Sequence, residues 1–186
     1  MQRVFAFFLA FLPIFMSLPA SQAVDYRAAF LQSVRGQWSG KGEVVAGRYK
    51  GIKFSCKLST PTAGNEMEMN LDGACRTGIF SQPVKAKISR KGSTFHGSFN
   101  EGARANGLDI IAGAIHKNHM TLELNRDKLN GNIVARLEGD NLLHITLAVK
   151  IDEEIIPVIG IDLNRITPEA TRIAAKSDSA FGWLRK

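Results

Sequence analysis

The sequence predicts an all-β protein, an antiparallel up-and-down β-barrel of about eight to ten strands with a short N-terminal helix and a C-terminal helix. Segments in which apolar and polar residues alternate recur from residue 38 to residue 164. Pairs of turn-forming residues, rich in Gly and Asn, separate these segments. Because no helical pattern lies between them, their apolar faces are covered only if the sheet closes on itself or folds into a sandwich.

The amino-terminal residues have the pattern of an export signal. Arg3 precedes an apolar stretch over residues 4–16, and residues 21–23 place small side chains at the two positions that a signal peptidase reads. The alternative is a membrane anchor, but the stretch contains a proline and is shorter than the roughly 20 residues that span a bilayer. We expect residues 1–23 to be a cleaved signal peptide and the barrel domain to occupy residues 24–166.

The chain is basic, with a formal net charge of +7 that falls to +6 when the signal, and with it Arg3, is removed. The basic residues are scattered beside turns and along polar strand faces, which favours an ordinary solvated surface. The alternative is attraction to an anionic envelope component. We expect a periplasmic or secreted protein that does not span the membrane after cleavage and has no nucleic-acid partner.

Helical patterns occur only at the two ends of the domain. Asp25 is a typical N-cap. After it, apolar residues recur at helical spacing: Tyr26, Phe30 and Val34. Thr167 followed by a proline is typical of a second helix start, which predicts a helix and tail over residues 167–186. The first strand is predicted between them, from Trp38 to Ala46.

A hairpin with both cysteines is predicted next. Residues 52–58 and 67–75 each alternate between an apolar and a charged face, and the connection contains proline, glycine and asparagine. Cys56 and Cys75 fall on the apolar faces. In an oxidising compartment such a pair is usually a disulfide, although two free buried thiols are the alternative. The absence of a Cys-x-x-Cys motif argues against a redox site.

Alternation continues almost to the end of the chain. The apolar faces are Val84, Ala86 and Ile88; Phe95 and Phe99; Met120, Leu122 and Leu124; Ile133, Ala135 and Leu137; and Leu143, Ile145, Leu147, Val149 and Ile151. A last strand is predicted from Val158 to Asn164. Turns are predicted at Lys91-Gly92, Asn106-Gly107, Asn130-Gly131 and Asp140-Asn141.

The inward faces of this barrel are apolar, so they either fill the core by themselves or enclose one small apolar ligand. If a ligand is present, we expect it to contact the larger inward side chains: Phe54, Leu58, Met67, Met69, Phe95, Phe99, Met120 and Leu122.

The sequence offers little for catalysis. Residues 36–40 have the order Gly-x-x-Ser-Gly, with one residue too many before the serine for a Gly-x-Ser-x-Gly nucleophile elbow. The four histidines are dispersed, without the three or four converging ligands of a metal site. Glu153 and Glu154 are typical of a solvated turn. We therefore expect a protein that is not an enzyme and that holds no metal or cofactor.

The arrangement of the ends resembles the calycin pattern of lipocalins and avidins. A short helix precedes Gly36-Gln37-Trp38 at the start of the first strand, and the last strand ends at Asn164-Arg165. The resemblance implies that Trp38 closes one end of the barrel as a lid, with the guanidinium of Arg165 across its ring. It also implies an exported barrel with a structural role or with a small apolar ligand.

A second resemblance covers the first half of the chain. Small exported bacterial inhibitors of metalloproteases also open with Gly-x-Trp and carry one disulfide in their early strands, as Cys56 and Cys75 would here. This chain departs from them in its length and its extended C-terminal part. A periplasmic protease inhibitor is therefore the alternative function, and an unrelated small envelope barrel is the third.

Overall fold

The computed structural model describes residues 25–61, 65–101, 107–126 and 129–167. These residues form one helix and ten strands: α1 (Tyr26–Ser33), β1 (Gly36–Val44), β2 (Lys53–Thr60), β3 (Glu68–Thr77), β4 (Phe80–Lys91), β5 (Thr94–Glu101), β6 (Leu108–His116), β7 (His119–Arg126), β8 (Leu129–Glu138), β9 (Leu142–Ile151) and β10 (Glu154–Arg165). Each strand pairs antiparallel with the next, and β10 pairs with β1, so the sheet closes into a barrel. The predicted fold class is confirmed. The predicted signal peptide and C-terminal helix lie outside the described residues.

An even number of up-and-down strands brings the start of β1 and the end of β10 to the same end of the barrel. Helix α1 precedes β1 there, and we call this the closed end. The β1–β2, β3–β4 and β9–β10 connections lie at the opposite end, which we call the open end. A closed barrel leaves no unpaired strand edge, and alternate side chains of every strand point inward.

Helix α1 covers the closed end of the barrel. A carboxylate oxygen of Asp25 accepts a hydrogen bond of 2.9 Å from the backbone N–H of Arg27, as predicted for an N-cap. Phe30 and Leu31 are buried against the barrel, and Tyr26 is 46% exposed. The helix is therefore held by its second turn, and Tyr26 does not belong to the buried face as its spacing predicted.

The predicted hairpin of β2 and β3 is confirmed with its register. Cys56 lies opposite Cys75 and the two form a disulfide, with their Cα atoms 4.0 Å apart. Leu58 is buried while Lys57 is exposed, so the apolar face of β2 points inward. A shift of one residue would have reversed these two environments.

The first and last strands have other bounds than the sequence predicts. β1 spans Gly36–Val44 rather than Trp38 to Ala46, and β10 spans Glu154–Arg165 rather than Val158 to Asn164. The turn predicted at Asn130-Gly131 is wrong, because both residues lie inside β8, paired with β7 on one side and β9 on the other. The turn predicted at Asn106-Gly107 falls partly outside the described residues. β6, over Leu108–His116, was not predicted.

Candidate ligand-binding cavity

The inside of the barrel is not filled by its own side chains. It contains a cavity of about 340 Å³ lined by thirty of the described residues, none of which is charged. This volume is far larger than the roughly 10–15 Å³ that one water molecule needs, and it falls within the range of small-molecule sites. An apolar wall offers water few hydrogen-bond partners, so the cavity suits an apolar occupant.

Six of the eight residues predicted to contact a ligand line this cavity: Phe54, Leu58, Met69, Phe99, Met120 and Leu122. The other two do not. Met67 lies just before β3, in the connection at the closed end, and is only half-buried. Phe95 is 1% exposed but packs beside Gly113 in the core near the start of β5, beyond the cavity. Both residues have the predicted polarity, and their distance along the barrel axis excludes them from the wall.

Trp38 forms part of the cavity floor at the closed end. Its side chain is 1% exposed, and its indole N–H donates a hydrogen bond of 2.9 Å to the backbone carbonyl of Val34, at the end of α1. The Cζ atom of Arg165 lies 4.2 Å from the centroid of the indole rings. A guanidinium over an indole face is favourable by about 0.5 to 2 kcal/mol, depending on solvent access.

Arg165 is held in this position by three backbone carbonyl groups. Its Nε donates a hydrogen bond of 2.7 Å to the carbonyl of Asp140, and its two terminal nitrogens donate to the carbonyls of Ser33 and Arg35. The planar guanidinium thus joins the end of α1, the β8–β9 turn and the last strand above Trp38. A lysine could not make these three bonds in one plane.

Two glycines of the first strand allow this close packing. Gly36 has a φ of +121°, and a Cβ atom there would lie 2.9 Å from a terminal nitrogen of Arg165. Gly40 has no room for a side chain, because the backbone carbonyl of Asp162 in β10 occupies that position. The glycines around Trp38 therefore serve the approach of β10 and Arg165 to β1, and of the two only Gly36 adopts an unusual backbone conformation.

The cavity opens between the β1–β2 and β3–β4 hairpins. Five residues both line it and are exposed to solvent, and all belong to these two hairpins: Ile52, Thr77, Phe80, Ser81 and Gln82. Phe80 is 76% exposed and Ile52 is 40% exposed. Most of the polar residues of the wall are in this group, so the lining changes from apolar to mixed at the entrance.

Sequence reasoning missed the entrance and part of the floor. Phe30 of α1 and Val34, which directly follows this helix, line the floor, and Phe80 lines the entrance. The signal for Phe80 was present in the sequence, because Gly78-Ile79-Phe80 puts two large apolar residues at a turn. Large apolar residues at an exposed turn are unusual in a protein that makes no further contacts.

The outer wall near the closed end carries a small titratable cluster. The imidazole of His144 lies 2.6 Å from a carboxylate oxygen of Asp162 and 3.0 Å from one of Glu138. These hydrogen bonds, first to Asp162 and then to Glu138, raise the pKa of His144 above its ordinary value of 6.5. The cluster joins β8, β9 and β10 on the outside of the barrel, away from the cavity.

We expect this cluster to make stability depend on pH. Because the pKa of His144 is higher in the folded state than in the unfolded state, protonated His144 stabilises the fold. This stabilisation is fully present below pH 6.5 and is lost as the pH rises through the folded-state pKa. Wild type should therefore exceed H144Q in free energy of unfolding by up to about 1 kcal/mol at pH 5.5, with the difference vanishing near pH 9. Urea denaturation at both pH values measures it.

H96Q is the matched control, because His96 pairs with no carboxylate among the described residues. Equal pH profiles for H144Q and H96Q would show that the cluster contributes nothing.

Among the described residues, no group of three or more His, Cys, Asp or Glu side chains is placed to hold a metal ion. In the same part of the chain, no helix is both long enough and apolar enough to cross a membrane.

The fold and the cavity together define a closed ten-stranded antiparallel barrel with an apolar interior. No protein-family model matches the chain, and no curated protein matches it. Its structure is similar to the crystal structure of Rv2717c from M. tuberculosis, with a TM-score of 0.58 and 12% sequence identity over 77% of this chain and 98% of that one. At this identity the likeness shows the fold alone.

A second solved structure is a protein with unknown function from the DUF3598 family of Nostoc punctiforme. The TM-score is 0.48 and the identity 12%, over 73% of this chain and 49% of that one.

Proposed function

We propose that this protein is an exported, non-enzymatic barrel that holds one small apolar ligand in its interior. The observation that carries the proposal is the cavity of about 340 Å³. In the part of the chain that the structure describes, no charged residue lines it. A barrel with a purely structural role gains stability when its side chains fill the interior, because an unfilled apolar volume loses packing contacts. An open apolar cavity with a defined entrance is better suited to binding.

Two features support export to the periplasm or the medium. Residues 1–23 have the pattern of a signal peptide, and Cys56 and Cys75 form a disulfide, which is typical of proteins in oxidising compartments. The wall of the cavity also supports a binding role over an enzymatic one. General acid–base or nucleophilic chemistry needs a titratable or activated group at the substrate. The described wall offers only the polar groups of Thr77, Ser81 and Gln82 near the entrance, and of Thr60, whose hydroxyl donates to the backbone carbonyl of Val34, at the closed end.

The contact between Trp38 and Arg165 supports a relationship with the calycins. It joins the start of the first strand to the end of the last strand, as the resemblance implies, and it closes the floor below the cavity. Within this interpretation, the floor is the fixed end of the barrel and the two entrance hairpins are the end through which a ligand passes.

The proposal predicts binding of an uncharged fluorescent probe, N-phenyl-1-naphthylamine, at one site per chain. Ala135 lines the cavity on β8, so A135F should fill part of it and weaken binding at least tenfold, because the added ring occupies space that the probe needs. Titration of probe fluorescence measures the affinity. Organic extraction and mass spectrometry of the natively exported protein then identifies the natural occupant.

A114F is the matched control, since Ala114 is exposed on the outer face of β6. It should bind the probe with wild-type affinity. Absence of saturable binding by wild type, or equal weakening by the two variants, would contradict the proposed site.

A further inference from the structure

Large apolar side chains are unevenly exposed on this barrel. Among the described residues, ten large apolar or aromatic side chains are exposed. Eight of them lie at the open end: Val45, Tyr49, Ile52, Ile79, Phe80, Leu129, Ile151 and Ile155. The remaining two are Tyr26 on α1 and Ile111 on the outer wall of β6. A soluble surface scatters such residues singly, so their concentration around one opening indicates an interaction surface.

The charges at this end are also uneven. We call residues 45–53 and 76–82 the entrance rim; it contains four basic residues, Arg48, Lys50, Lys53 and Arg76, and no acidic one. In the part of the chain that the structure describes, none of the four forms an ion pair. The acidic residues 152–154 lie on the neighbouring β9–β10 hairpin, where Glu153 pairs with Lys150.

The entrance rim presents its apolar groups at the tips of its hairpins. Ile79 is 87% exposed and Phe80 is 76% exposed in the β3–β4 turn. On the β1–β2 connection, Tyr49 is 53% exposed and the guanidinium of Arg48 lies 4.5 Å from its ring centroid. Arg48 also donates a hydrogen bond to the hydroxyl of Tyr49. Protruding apolar and aromatic side chains beside basic residues that form no ion pair are the combination that binds the headgroup region of a bilayer.

We propose that the entrance rim docks on an anionic lipid bilayer, with Ile79, Phe80 and Tyr49 inserted at the level of the headgroups. The basic residues then face lipid phosphates, and the cavity entrance opens toward the acyl chains from which an apolar molecule would enter or leave. A second copy of the chain suits this surface poorly, because a two-fold contact would set the four cations against their own copies. The docking goes beyond the proposed ligand binding and stands independently of it.

Vesicle flotation tests the docking with vesicles of phosphatidylcholine alone or with 30% phosphatidylglycerol, at about 0.1 M salt where the Debye length is about 10 Å. All proteins are prepared oxidised and in the same way, so that the amino-terminal segment is common to them. Wild type should bind the anionic vesicles and bind neutral ones at least tenfold more weakly. Each basic residue near an anionic surface raises the binding constant roughly fivefold, so R48Q/K50Q should weaken binding about 25-fold.

The chain offers matched controls for both contributions. Y49S/I79S removes a tyrosine and an isoleucine from the entrance rim and should weaken binding at least tenfold. Y26S/I111S removes the same two residue types from elsewhere on the exposed surface and should change it less than twofold. K87Q/K91Q, on the exposed face of β4, is the control for the charge variant.

Failure of wild type to bind anionic vesicles, or an equal loss in the rim and control variants, would overturn the proposal. Self-association by the rim without vesicle binding, measured by sedimentation equilibrium, would overturn it in favour of a second copy. Binding of N-phenyl-1-naphthylamine without vesicles separates the two proposals. If vesicle binding persists while the probe fails to bind, docking stands and the ligand site does not.

Discussion

Replacement of Trp38 with alanine should lower the free energy of unfolding by about 3 to 5 kcal/mol, the range for a buried aromatic truncated to alanine. Trp38 is 1% exposed, contacts the cavity on one side and lies under Arg165 on the other. Its loss removes this buried area and leaves the carbonyl of Val34 without the indole donor. Urea denaturation followed by circular dichroism measures the change, because far-ultraviolet dichroism reports β-structure independently of the lost fluorophore.

The contact between the two side chains predicts that their effects do not add. R165A should cost less than W38A, since the guanidinium is only half-buried and its backbone carbonyl partners can bind water instead. The double variant W38A/R165A loses the guanidinium–indole interaction only once. Its loss in free energy of unfolding should therefore be smaller than the sum of the two single losses by about 0.5 to 2 kcal/mol.

Phe95 provides the control for this double-mutant cycle of Trp38 and Arg165. It is also 1% exposed, but β5 lies across the barrel from β10 in the strand order. F95A should be similarly destabilising and additive with R165A, because the two residues share no partner. A double variant of Trp38 and Arg165 whose cost equals the sum of the single costs would show that the contact contributes no energy and would remove the main support for a calycin relationship.

The sequence could predict the strands whose pattern is unbroken. Over residues 54–58 of β2, 84–88 of β4 and 120–124 of β7, every second residue is apolar, and these residues point inward because the side-chain period of a strand is two. The disulfide followed from the same pattern, since the register of the hairpin brings Cys56 opposite Cys75. Local alternation was sufficient to predict a strand and its inward face wherever one face of the sheet was buried and the strand contained no bulge.

Two elements were misjudged where a residue is inserted. The pairing of β6 shifts register between Ile110 and Ala112, so Ile110 is buried, Ile111 is 47% exposed and the alternation resumes out of phase. The pairing of β10 shifts between Pro157 and Ile159, and the sequence prediction began this strand only at Val158, the residue within the shift. A bulge changes the face of every following residue, which a pattern of period two cannot anticipate.

The cavity itself could not be predicted from the inward residues. Its size depends on the radius of the barrel, which the number of strands and their stagger set together. A sequence count of eight to ten strands leaves open whether the same side chains meet at the axis or leave a space. The positions of Met67 and Phe95 show the same limit, because polarity assigns a residue to the interior but not to a depth along the axis.

Removal of the disulfide should cause the second large loss in the free energy of unfolding. The β2–β3 ladder extends only over residues 55–59 and 72–76, and the bond joins Cys56 to Cys75 within it, 19 residues apart in sequence. A cross-link that closes a loop of this length restricts the unfolded chain, so C56A/C75A should lower the free energy of unfolding by about 3 kcal/mol. Urea denaturation with and without dithiothreitol measures the loss.

Reductant supplies the internal control, because it breaks the bond without changing a side chain other than the two sulfurs. Reduced wild type should unfold near the midpoint of C56A/C75A, and reductant should leave the midpoint of the variant unchanged. Since Cys75 also lines the cavity close to the entrance, reduction should weaken N-phenyl-1-naphthylamine binding as the β2–β3 ladder loosens. A wild-type midpoint that is indifferent to reductant would show that the bond does not stabilise the barrel, and the ladder would then owe its register to the packing of Leu58 and Leu71 alone.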